Sequence, residues 1–141
     1  MNNENVLTIK RRKSIFWGLF NIIFPHADMS RVYLAFWKYI FIPSEVPECP
    51  VCMVVHETVH LGQQGNTLHG ALKWWVKYIF SKKFRFSQEL EAYQVQARWF
   101  DDTQGSSYKQ KFLYRKEVAK ILASPMYGSL VKNDEAFKLL K

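Results

Sequence analysis

The chain has 141 residues, is 48% hydrophobic and carries a net charge of +8; this length and content suit one core and predict a single domain over 1–141. Its longest apolar runs, 15–24 and 32–42, are interrupted by Gly18 and Asn21 or by Lys38 and fall short of the ~20 residues of a membrane span, so no transmembrane segment is expected. Only two cysteines are present, which excludes a four-cysteine zinc knuckle within one chain, and the excess charge points to solubility or an acidic partner.

In chain order, residues 1–13 are polar and basic and read as loosely ordered. Lys10-Arg11-Arg12-Lys13 before an apolar run imitates a secretory signal. Asn21 breaks that run, and no small-x-small cleavage site follows before Pro25 and His26, so a cytoplasmic protein is expected. Residues 14–24 are aromatic and apolar, and helix and strand both fit. Residues 31–42 combine aromatic and β-branched types and predict one or two strands, closed by a loop at Pro43, Pro47 and Pro50.

The run Val51-Cys52-Met53-Val54-Val55 is apolar on every side. It predicts a buried helix of about ten residues with Pro50 in its first turn, although a strand ending at Val55 also fits its β-branched content. Gly62, Gly65 and Asn66 are stop signals. Leu68, Leu72, Trp75 and Ile79 recur at helical spacing, with Lys73 and Lys77 opposite, and predict a helix over 67–80. A basic loop over 81–86, a helix over 87–100 and a linker at Gly105-Ser106-Ser107 follow. A polar, basic helix covers 108–122, and the tail past Gly128 reads as a short helix or loose chain. Lys82, Lys83 and Arg85 lie close to Trp74, Trp75 and Tyr78, a mixture that can bind nucleic acid. Helical periodicity instead assigns the aromatics to the core and the basic residues to a solvated face, so nucleic acid ranks behind.

His56-Glu57-Thr58-Val59-His60 carries the chemistry. On a helix, residues i and i+4 are neighbours, so the two imidazoles can grip one Zn2+. Glu57 then stands beside the metal, where a carboxylate can take a proton from a polarised water. A shuffled chain of this composition holds such a motif with a probability of roughly half a percent. A catalytic zinc needs a third protein ligand and an open position. Gln63 and Asn66 stand where a metzincin needs Gly and His, which excludes that class. The remaining candidates are His69 and the segment Ser87-Gln88-Glu89-Leu90-Glu91-Ala92-Tyr93.

The HETVH run followed by Gln63-Gln64 and then by Glu89-Leu90-Glu91-Ala92-Tyr93 resembles gluzincin metallopeptidases, and in particular small bacterial and phage metallopeptidase-like proteins, over roughly residues 40–100. The resemblance implies His56, His60 and Glu89 as zinc ligands and Glu57 as general base. Ala92 aligns with a small residue that lets two helices approach, and Tyr93 stands where many gluzincins place a histidine-orienting Asp. Glu89 and Glu91 point about 200° apart on a helix, so only one can face the metal. Glu89 shares its face with Ala92, Tyr93 and Gln96, whereas Glu91 falls among polar neighbours, and Glu89 is preferred. His69 is similar in place to the third histidine of SprT-like proteases, at a spacing short for that family.

The expected architecture is a minimal zincin-like α+β domain, with a short sheet from 31–42 beside the HExxH helix and a following ligand helix. The expected function is zinc-dependent hydrolysis of a peptide or protein substrate, with Tyr78, His69 or Tyr127 as oxyanion donor and Tyr93 behind the ligands. Cys49 and Cys52 read as buried thiols, with a redox pair or a closed Cys2His2 site with His56 and His60 as alternatives. A non-catalytic zincin used as a structural or interaction module, and a zinc-containing nucleic-acid-binding module, are the competing functions. Intact Glu57 weighs against the former, since a site kept only for structure needs no base.

Overall fold

A computed structural model describes residues 8–11, 15–25, 27–103 and 107–140. Among them the chain is α+β and mostly helical. In order come β1 (Thr8–Arg11), α1 (Ile15–Ile23), β2 (Leu34–Phe36), β3 (Tyr39–Ile42), α2 (Val51–Gln64), α3 (Leu68–Phe80), α4 (Lys82–Thr103), α5 (Tyr108–Leu122) and α6 (Asn133–Leu139), with single 3-10 turns at Met29–Arg31 and Pro125–Tyr127. None of these helices is long and apolar enough to cross a membrane.

The sheet runs β1-β3-β2, with β1 parallel and β2 antiparallel to β3. Residues 8–11 thus form a strand where a loose segment was expected; the rest of that segment and Gly105-Ser106 lie outside the described residues. β2 and β3 form a two-residue hairpin at Trp37-Lys38. Trp37 takes a φ of 57°, the left-handed conformation such turns demand, and it is pinned there. Its backbone N–H donates to Gln64 Oε1 at 2.8 Å and its indole to Asn66 O at 3.4 Å.

Residues 51–55 are helical, which removes the strand alternative. α2 ends at Gln64, one residue before Gly65, whose φ of 75° only glycine adopts freely. Thr67 caps α3 by accepting from the Gly70 N–H at 3.0 Å. A Cβ on Gly70 would sit 2.6 Å from the Gln64 carbonyl oxygen, so glycine there permits the tight passage from α2 into α3.

Two readings of this region need correction. α4 begins at Lys82, so 81–86 is not a loop; Ser81 alone joins α3 to α4, and its hydroxyl accepts from the Phe84 N–H at 3.2 Å. Arg85 turns inward and its Nη1 donates to the Tyr78 and Ile79 carbonyls, which the end of α3 leaves without helical partners. The buried face of α3 is Ala71, Trp74 and Tyr78, whereas Leu68 and Leu72 face outward. Periodicity located a stripe but not which stripe is covered.

Helix α4 organises the rest. Glu89, Ala92 and Gln96 are buried toward α2, and Phe86, Leu90 and Tyr93 pack on a core built by Val118, Leu122, Tyr127 and Leu140. A smaller cluster of Phe24, Trp74 and Tyr78 takes Phe84 of α4 against its edge. Arg115 clamps the far end: it pairs with both Asp101 carboxylate oxygens, at 3.0 and 2.5 Å, and donates from Nε to Leu140 O. That guanidinium holds the Asp101 carboxyl below its ordinary pKa.

Candidate metal centre

His56 and His60 lie one turn apart on the buried face of α2, and Glu89 faces them from α4. The helices come close because Ala92, one turn beyond Glu89, is fully buried and offers only a methyl group. The two Nε2 atoms are 3.2 Å apart. His56 Nε2 lies 3.4 Å from Glu89 Oε2, and His60 Nε2 lies 3.2 Å from Glu89 Oε1. Among the described residues this is the one group of three His, Cys, Asp or Glu side chains whose ligand atoms converge.

The spacing fits a metal. Donors 2.0–2.1 Å from a tetrahedral zinc lie about 3.3 Å from one another, close to the observed separations. The outer imidazole nitrogens fit as well. His56 Nδ1 donates to Gln96 Oε1 at 3.0 Å and His60 Nδ1 to Gln63 Oε1 at 2.9 Å. Each Nδ1 carries its hydrogen, so each Nε2 is the atom turned to the metal position. The Gln63 amide has only one sensible orientation, because its Nε2 donates to Gln88 O and to Glu91 Oε2. Glu91 is therefore exposed, outside the ligand group, and tied to His60 through Gln63.

Glu89 is held in turn. The Tyr78 hydroxyl donates to its Oε1 at 2.5 Å. Burial works against the Glu89 charge, but His60 and His56 outweigh it and hold the carboxyl well below its ordinary pKa. The converse acts on His60: burial disfavours its charge, the Glu89 carboxylate overrides it, and the pKa rises to about 9. Glu57 lies buried beside the group, and burial raises its pKa against the pull of both imidazoles. Its carboxylate also accepts the backbone N–H of Ala35 in β2.

Tyr93 does not take the place of an orienting Asp: its ring packs edge-on against His56 at 4.4 Å between centroids, and its hydroxyl is hydrogen-bonded with that of Tyr127. Gln96 orients His56 instead. The Tyr78 proton is engaged by Glu89, so this hydroxyl positions a ligand. His69 is exposed near the start of α3, outside the ligand group. Cys49 and Cys52 are free, half-buried and likewise outside it; burial, with Glu57 and Cys52 adding, pushes the Cys49 thiol up to about 11. Trp74 and Tyr78 are core residues that contact His60, at 5.5 and 6.5 Å between ring centroids.

Sequence reasoning missed Gln63 and Gln96 as orienting groups. The available signal was their spacing, three residues after His60 and seven after Glu89. Gln96→Met keeps the volume and removes the acceptor, so it is expected to lower zinc affinity about 10–100-fold while leaving the fold intact. Competition with a chromophoric chelator measures this, and an unchanged affinity would show that the His56 ring needs no such partner. Comparison of the chain with protein-family models, curated proteins and solved structures returned no match.

Proposed function

We propose that this chain is a zinc-dependent peptide hydrolase built on a minimal zincin-like scaffold, in which His56, His60 and Glu89 hold the metal and Glu57 is the general base. The observation that carries the reading is the convergence of two Nε2 atoms and one carboxylate at 3.2–3.4 Å, with a fourth ionisable group, Glu57, buried beside them. Held by His56, His60 and Glu89, zinc would supply Lewis-acid polarisation of a water molecule and of the peptide carbonyl. Glu57 would accept a proton from the attacking water as the water oxygen bonds to the carbonyl carbon. It then delivers the proton to the departing amine nitrogen as the C–N bond breaks. A carboxyl whose pKa burial has raised is suited to both halves of that transfer. Trp74 and Tyr78 wall the site on the His60 side and reduce its access to water.

A second reading, a non-catalytic zincin serving a structural or interaction role, gains from one observation. Glu57 accepts the Ala35 N–H, so a carboxylate at this position has a use without any catalysis. That weakens the argument from its presence alone. Nucleic-acid binding loses ground, since Trp74 and Tyr78 are buried and Arg85 is turned onto carbonyls.

Incubation with a broad peptide library, with and without chelator, tests the proposal. Cleavage that a chelator abolishes and zinc restores is expected. Cleavage indifferent to chelator would remove the metal from the reaction, and zinc binding without any cleavage would favour the second reading.

A further inference from the structure

Helix α3 shows two unlike faces. Ala71, Trp74 and Tyr78 pack inward, while Leu68, Leu72, Val76 and Phe80, spaced four apart, are 45%, 50%, 57% and 84% exposed. At 1.5 Å and 100° per residue these four side chains form a ridge about 18 Å long that winds through about 120° of the helix surface. Lys73 and Lys77 flank it, and Lys82 and Lys83 follow at the start of α4, all exposed. Between Glu57 and Glu89 the sequence holds no acidic residue at all. A continuous apolar ridge on a soluble surface signals a partner, and this one is bordered by a single sign of charge.

We infer that α3 seats the protein on an anionic lipid surface, with Leu72, Val76 and Phe80 entering the boundary between headgroups and acyl chains and the lysines reaching phosphate. Three observations favour this occupant. The exposed flank consists of lysines, and flexible point charges suit a diffuse anionic layer rather than the fixed geometry of a carboxylate pair. The ridge is convex, because the helix's other face is packed into the core, and a bilayer accepts a ridge without a matching groove. The neighbouring helix α1 meets α3 through Phe20 and Trp75 and carries an exposed apolar side chain of its own, Ile22 at 77%. A second copy is disfavoured, since face-to-face pairing would set lysines against lysines. The inference is independent of the chemistry at the metal centre, which lies across α3 on its buried side.

Co-sedimentation with vesicles tests it, using phosphatidylcholine alone and phosphatidylcholine mixed with phosphatidylserine. The full chain is expected to pellet with the mixed vesicles and remain in solution with the neutral ones. The triple variant Leu72→Ser, Val76→Ser, Phe80→Ser, and separately Lys73→Gln with Lys77→Gln, should each weaken binding about tenfold or more. All five positions are exposed, so the melting temperature serves as a control for folding. Failure of the wild type to bind mixed vesicles, equal binding to neutral ones, or undiminished binding by the serine variant would overturn the inference. So would a wild type that forms dimers in solution which the serine variant breaks, since the ridge would then join copies of the chain.

Discussion

Replacing His56 or His60 with Ala is expected to lower zinc affinity at least about a hundredfold, beyond the 10–100-fold effect of an orienting residue. Glu89→Gln should do the same while keeping a side chain of the same shape between Tyr78 and the imidazoles. Glu89→Ala is the poorer variant, because it strands a buried His60 charge and the Tyr78 hydroxyl, and breaking a buried pair from one side costs about 3–5 kcal/mol. Alanine at His69 should leave the affinity within a few fold. The pH dependence follows from His60. Its metal-free pKa is about 9, so near neutral pH the incoming ion must displace a proton. Affinity should therefore rise with pH up to about 9, and calorimetry in buffers of different ionisation enthalpy should record that proton. The same raised pKa stabilises the metal-free fold below the ordinary imidazole pKa, a contribution lost as pH rises through about 9. Zinc content unchanged in both histidine variants would refute the site.

Glu57→Gln is expected to keep zinc and fold yet lose peptide hydrolysis by about 10²–10⁴-fold, the usual worth of a positioned general base. The Ala35 contact makes this substitution the informative one. The amide oxygen of Gln still accepts the Ala35 N–H, so the link to β2 survives while proton acceptance at neutral pH does not. Glu57→Ala removes both, and should additionally lower the melting temperature by leaving a buried N–H without a partner. Equal cleavage rates for wild type and Glu57→Gln would sink the hydrolytic mechanism. A stability difference between the Gln and Ala variants measures the structural use of the carboxylate by itself.

The convergence of His56, His60 and Glu89 was largely legible because helical spacing is a local property. His56 and His60 follow from i and i+4, and the shared face of Glu89, Ala92 and Gln96 from the 3.6-residue period. What remained hidden depends on partners distant in sequence. β1 is four exposed residues whose pairing with β3 is parallel, and no alternation in Thr8-Ile9-Lys10-Arg11 announces it. The early start of α4 rests on Ser81 as a cap and on Arg85 reaching back to α3, neither of which appears as a hydrophobic period. Leu68 and Leu72 were assigned inward because periodicity marks a face without saying what covers it. Gln63 is informative only once Gln88 and Glu91 are seen to fix the direction of its amide.

The side chains arrayed along β2 have one further consequence. Ala35 N–H is taken by Glu57, the Ala35 carbonyl by Gln64 at 2.8 Å and by Trp75 at 3.1 Å, and Trp37 N–H by Gln64. On the flank facing the metal centre, the sheet is thus sealed against further strand addition. An extended peptide cannot gain its hold there by the backbone ladder that lets a strand edge accept almost any sequence. If the proposed hydrolysis holds, a substrate is expected to gain nothing from strand addition at β2, and a shared residue pattern around the scissile bonds of cleaved peptides would be the sign of side-chain selection in its place.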